Sequence, residues 1–132
     1  VFIMMINWEQ LLNQACDVIQ KAYCPYSNFP VGAAGLTDKG LIITGCNIEN
    51  ASYGLTMCAE CSMVANLITS GGGGKLIATL CVNQHHELLS PCGRCRQVLF
   101  EHGGKKMLLM TKDGIRTLDD LLPVAFGPND LL

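Results

Sequence analysis

The chain has 132 residues, of which 49% are hydrophobic and only 15% charged, and its formal net charge is −2 at pH 7. That length fits one folding unit, a single domain over 1–132. The acidic balance without a basic run excludes a phosphate-tracking nucleic-acid surface, and no apolar run approaches the ~18–20 residues of a membrane span.

The charged share lies well under the ~25% of an ordinary domain. A domain this small has a large surface for its volume and cannot hide so much apolar material inside itself. The excess reads as a subunit interface and predicts a homo-oligomer. Residues 1–5 are set apart from the fold. Val1–Ile6 is too short, and lacks the basic start, for a secretory leader. The eight cysteines, at 16, 24, 46, 58, 61, 81, 92 and 95, therefore read as thiols of a reducing, cytoplasmic compartment. Some of them, such as Cys81 in an apolar run, read as small hydrophobes.

In chain order, residues 8–22 predict an amphipathic helix, with Trp8, Leu11, Leu12, Ala15, Val18, Ile19 and Ala22 at helical spacing. Asn7 with Gln10 resembles a capping box, and Cys24-Pro25-Tyr26-Ser27-Asn28 breaks the helix. Val31–Leu36 and Leu41–Cys46 read as strands joined by a turn at Thr37-Asp38-Lys39-Gly40. A polar loop, 47–57, precedes a helix from about Cys58 to Thr69 that the glycine run 71–74 ends. Lys75–Val82 has strand character. A helix follows over Cys92–His102, then a strand over Met107–Thr111, and a helical turn over Leu118–Leu122 stops at Pro123. The connection from Lys75–Val82 to Met107–Thr111 predicts a parallel pair, whereas the early hairpin is antiparallel. A mixed sheet with helices on its faces is the expected fold.

Two short stretches carry chemistry. Cys58-Ala59-Glu60 and Pro91-Cys92-Gly93-Arg94-Cys95 each stand at a predicted helix start. Helix N-termini favour thiolates over thiols. Two such starts can converge three sulfurs on a tetrahedral zinc and leave its fourth position for chemistry. Glu60 then sits near that position without being a ligand, as a proton carrier. This arrangement resembles the signature of base deaminases: a His or Cys, a Glu two residues on, then Pro-Cys-x-x-Cys. Taken alone, Cys-x-x-Cys is equally a redox pair. With Cys61 as fourth sulfur the site is a structural zinc, although Glu60 and Pro91 then have no task.

Five stretches together resemble the cytidine deaminase family in its small homotetrameric form: Pro25–Ala34, Gly45–Gly54, Cys58–Glu60, Pro91–Val98 and Leu121–Pro128. The resemblance runs from about Trp8 to Leu131. It implies a three-layer α/β/α sandwich with a mixed, mainly five-stranded sheet. It also implies one Zn²⁺ per subunit on Cys58, Cys92 and Cys95, a proton shuttle at Glu60, and hydrolytic deamination of cytidine and deoxycytidine. Asn47 and Glu49 match residues that bind the ribose 3′-hydroxyl. Phe29 matches an aromatic that packs on the pyrimidine, and the Ala59 backbone a contact to the base carbonyl. Tyr53 and Phe126 match residues that reach across a subunit boundary. Many small members carry Arg where this chain has Cys61. Arg94 is the expected substitute, pairing with the ligand sulfurs to offset their charge. Arg96 reads as structural support, and His85 and His86 as exposed loop residues. A deaminase of another cytosine compound and a zinc-stapled binding module are the competing readings. The Asn47-Ile48-Glu49 loop argues against the first and the free fourth position against the second.

Overall fold

The computed structural model describes residues 5–70 and 72–132. The expectations for residues 1–4 and for Gly71 lie outside the described residues. Helix α1, Trp8–Val18, is capped by the Asn7 side chain, which accepts from Gln10 N at 3.1 Å. It tightens into a 3₁₀ turn at Ile19–Lys21 rather than running on to residue 22. The cause lies downstream: Tyr23 N is engaged by the Asn47 carbonyl at 3.0 Å, and Tyr23 pairs with Ile48.

Strands β1, Gly32–Thr37, and β2, Ile42–Cys46, form the expected antiparallel hairpin. Gly40 takes a φ of 80° in its turn, which only glycine adopts freely. A 3₁₀ turn at Tyr53–Leu55 lies in the polar loop, and α2 runs over Ala59–Thr69. Strand β3, Leu76–Val82, is followed by β4, Leu88–Leu89, then α3, Gly93–Gly103, and β5, Leu108–Thr111. β6, Gly114–Thr117, α4, Leu118–Leu121, and a 3₁₀ turn at Pro128–Leu131 complete the chain.

The sheet has six strands in the order β2-β1-β3-β5-β6, with β4 paired to β3. Only β3 and β5 are parallel, as the α3 crossover requires. α1 covers one face, packing Leu11, Ala15 and Ile19 on Ala34, Ala78, Leu80 and Val82. α2 and α3 cover the other, with Met63, Val64, Leu67 and Leu99 on Ala33, Cys81 and Leu109. The architecture is a three-layer α/β/α sandwich.

The site-bearing helix α2 lies unusually close to the sheet. A Cβ added at Gly45 of β2 would stand 2.3 Å from Met63 N and 2.6 Å from Ala59 O. The bare glycine lets the first turn of α2 rest on the strand, and that contact fixes where the helix begins.

Candidate metal centre and active site

Cys58 is the N-cap of α2 and Cys92 the N-cap of α3. Each has extended backbone, and its carbonyl takes the first helical hydrogen bond, from Ser62 N and Arg96 N at 3.0 Å each. Cys95 follows in the first turn of α3 and is buried. The two helix starts meet, and the sulfurs of Cys58, Cys92 and Cys95 all lie within 4.8 Å of one another. Three thiolates on a tetrahedral zinc with ~2.3 Å bonds stand about 3.8 Å apart, so the donor set fits that ion. Among the described residues Cys61 does not join the group. Three protein ligands are the number that leaves a tetrahedral ion one position for water or substrate.

Charge at the cluster depends on the ion. Burial pushes the Cys58 thiol up, and burial with the nearby Glu60 pushes Cys95 far up. Burial also raises Cys92, but the Cys95 amide, the Cys95 and Cys58 thiols and the Arg94 amide outweigh it, and Cys92 falls below an ordinary thiol. Cys92 is therefore the sulfur readiest to ionise. The other two give up their protons when a cation arrives to hold the charge.

Glu60 stands in the first turn of α2 and is only 5% exposed. Burial raises its carboxyl above the usual carboxylate range. It lines, with the three cysteines, Asn47 and Ala59, a cavity of about 210 Å³. A buried carboxylate with a raised pKa beside a metal-binding cluster has the position and environment that proton exchange requires.

The matches to known proteins follow the same residues. Residues 5–111 match the family model for the cytidine and deoxycytidylate deaminase zinc-binding region. The chain belongs to this deaminase family. A cytidine deaminase of Mycobacterium tuberculosis is 54% identical over 126 residues, covering 96% of this chain and 94% of that protein. One from Sporosarcina psychrophila is 40% identical, covering 93% of each. The crystal structure of the M. tuberculosis cytidine deaminase superposes with a TM-score of 0.90 at 53% identity, covering 93% of this chain and 99% of that one. The Mycobacterium leprae cytidine deaminase structure gives 0.88 at 51%, covering 90% and 99%.

The remaining residues singled out by the family resemblance divide into three groups. Asn47 is buried at the cavity wall, and its amide also holds the segment before β1. Oδ1 accepts from Val31 N and Nδ2 donates to Phe29 O, both at 2.9 Å. Glu49 lines a neighbouring cleft of about 380 Å³ with Tyr26, Ser27 and Tyr53. Its Oε1 accepts from Tyr26 N at 2.9 Å and Ser27 N at 3.1 Å, and its Oε2 from the Ser27 hydroxyl. The Phe29 and Phe126 rings are 48% and 60% exposed and line neither cavity in the single chain.

Arg94 corrects an expectation. Its guanidinium donates to Thr56 O at 3.3 Å, and among the described residues it makes no hydrogen bond to a cluster sulfur. Cys95 points inward from α3, whereas Arg94 beside it is solvent-exposed and reaches across to the loop before α2. Arg96 has the supporting role expected of it, donating to Pro91 O at 2.9 Å and Leu121 O at 3.1 Å. His85 and His86 are exposed, as expected. Two contacts escaped the sequence. Ser27 clasps Glu49, and the only hint was its place in a Pro-containing turn. The Cys81 thiol lies against Glu60, across a helix–sheet contact that linear spacing cannot reveal.

Proposed function

We propose that the chain is a zinc-dependent hydrolase that converts cytidine and deoxycytidine, with water, to uridine and deoxyuridine plus ammonia, a step of pyrimidine salvage. The observation that carries this reading is the buried Glu60 carboxylate beside three cysteine sulfurs that can hold a metal with one position to spare. Cys58, Cys92 and Cys95 would hold the zinc, which would supply Lewis-acid polarisation to the attacking water. Glu60 takes the proton of that water as its oxygen adds to C4 of the cytosine ring. The same carboxyl delivers that proton to N3, then carries the proton of the new C4 hydroxyl to the C4 amine, which leaves as ammonia as the C4 carbonyl forms.

The substrate contacts belong to the same proposal. Asn47 and Glu49 bind the ribose 3′-hydroxyl. A carboxylate has about four acceptor sites and Glu49 uses three, while each polar atom of the Asn47 amide keeps one free. The Phe29 ring packs on the pyrimidine, and the Ala59 backbone meets the base carbonyl. Tyr53 and Phe126 serve a neighbouring subunit's site in a homotetramer. Cys61, where many relatives have Arg, leaves the cluster without a cation at that position and the sulfurs more electron-rich. The thiol-rich site belongs in the reducing cytoplasm. The whole of 1–132 acts as one domain.

Ultraviolet absorbance of the purified protein with cytidine or deoxycytidine tests the reading. The spectrum shifts from the cytosine to the uracil form, and a zinc chelator stops the change. The Glu60→Gln variant keeps its zinc and loses nearly all turnover. An unchanged spectrum with both nucleosides at full zinc loading overturns the assignment.

A further inference from the structure

Cys81 belongs to no metal cluster, yet its thiol lies against the proton carrier. It is buried in β3. Its Sγ stands 3.6 Å from Glu60 Oε2 and 3.2 Å from the Leu89 carbonyl oxygen, both within reach of a sulfur donor. A thiol has one hydrogen to give, so two acceptors compete for it. Strand alternation sets its direction: Leu80 and Val82 face α1, and Cys81 faces α2 and α3. The β3–β4 pairing puts Leu89 opposite Cys81, which brings the second acceptor to the same sulfur.

The surroundings offer Glu60 little else on this side. Beside it is a small space of about 10 Å³, lined by Glu60 itself with Thr79, Cys81, Leu89, Leu99 and Leu109. That volume holds one water at most, and its largely apolar lining gives a water few partners. The Thr79 hydroxyl is committed to Ala34 O at 2.8 Å. The Glu60 amide and the Cys95 thiol also bear on the carboxyl, and Cys81 is the sheet side chain whose thiol reaches Oε2.

We propose that Cys81 is a positioning residue for Glu60: its S–H holds Oε2 toward the sheet and leaves the other carboxylate oxygen turned to the metal-lined cavity, where the proton is exchanged. The role rests on the deaminase reading above. An apolar side chain in its place takes away the hydrogen bond from the sheet side, and the carboxylate then samples orientations unsuited to the transfer. Misplacement of a catalytic group by a fraction of its working distance is costly in rate. A thiol is a weak donor, so the expected effect is moderate. It falls on the chemical step and not on nucleoside binding.

The test compares the wild-type zinc enzyme with Cys81→Val and Cys81→Ser. Val lowers kcat about tenfold, which is ~1.4 kcal/mol of barrier, with KM and zinc content little changed. Ser keeps a donor and restores most of kcat. Wild-type kcat in the Val variant, or a Ser variant as slow as Val at equal zinc content, overturns the proposal. Infrared spectroscopy supplies a readout independent of turnover. The Cys81 S–H stretching band, identified by its loss in Cys81→Val, shifts when Glu60 becomes Gln. A band indifferent to Glu60→Gln overturns the hydrogen bond itself. If the wild type turns over neither nucleoside but the band shifts, the deaminase reading has failed while the Cys81–Glu60 contact stands.

Discussion

Glu49 illustrates how one side chain organises a whole turn. It accepts from the Tyr26 and Ser27 amides and from the Ser27 hydroxyl. Those bonds, the hydroxyl first, hold its carboxyl below the usual value. A carboxyl lowered in the folded state stabilises the fold fully above its unfolded value, and that contribution is lost as pH falls through the lowered folded value. The Pro25–Phe29 turn should therefore stay clasped at neutral pH and loosen only in acid, below the reference Glu value of ~4.3. Titration of the Glu49 carboxyl carbon by NMR checks this. Its midpoint lies below the reference in the wild type and rises toward it in Ser27→Ala; a wild-type midpoint at or above the reference contradicts the clasp. Residue types at short spacing made the metal group legible, because Cys58, Glu60, Cys92 and Cys95 act from two helix starts. The Ser27 and Cys81 contacts join residues 22 and 21 apart in sequence, and only the fold brings those pairs together.

Among the elements, α2 brings Cys58, at its cap, and Glu60, in its first turn, to the cluster. Its placement rests on the absence of a side chain at Gly45. Gly45→Ala puts a Cβ 2.3 Å from Met63 N, closer than real contacts allow, and neither partner is a flexible side-chain tip. Overpacking of this kind costs about 1–3 kcal/mol. The expected outcome is a fall in thermal midpoint of several degrees, with weaker zinc retention because the Cys58 cap moves. Calorimetry with metal analysis checks both, and an Ala variant as stable as the wild type removes the argument. Helical periodicity and apolar runs announced α1, α2, α3, β1, β2, β3 and β5 in the sequence, with ends shifted by one residue except in α1, which stops four residues short of the expected end. β6 left no such signal. Gly-Ile-Arg-Thr is mostly exposed and lacks an apolar alternation; it becomes a strand only by pairing with β5. The two-residue β4 is likewise a product of its pairing with β3.

At the scale of the molecule, the apolar excess in the composition is found on the surface. Tyr23, Ile48, Tyr53 and Leu55 are exposed around the 47–57 loop, and Val124, Phe126 and Leu131 along the C-terminal segment. The loop residues form one surface, since Tyr23 pairs with Ile48 and the Tyr26 and Tyr53 rings meet edge-on at 6.0 Å. α3 anchors the C-terminal segment through the bond from Gln97 Nε2 to Phe126 O at 2.8 Å, which leaves the Phe126 ring outward. An exposed ring that lines neither cavity of its own chain suits a neighbour's cavity. Burying such surfaces between copies is the ordinary use of an exposed apolar patch. The proposed homotetramer predicts that the zinc-loaded protein sediments with the mass of four chains. Each active site should also draw Glu60 from one chain and Phe126 from another. Mixing separately purified Phe126→Ala and Glu60→Gln proteins, with dissociation and reassembly, tests both claims at once. A hybrid gives some sites an intact Glu60 from the first variant and an intact Phe126 from the second, so activity rises well above that of either parent. If Phe126 serves its own chain no hybrid site is whole, and the mixture stays at the average of its parents; sedimentation at monomer mass would end the argument at once.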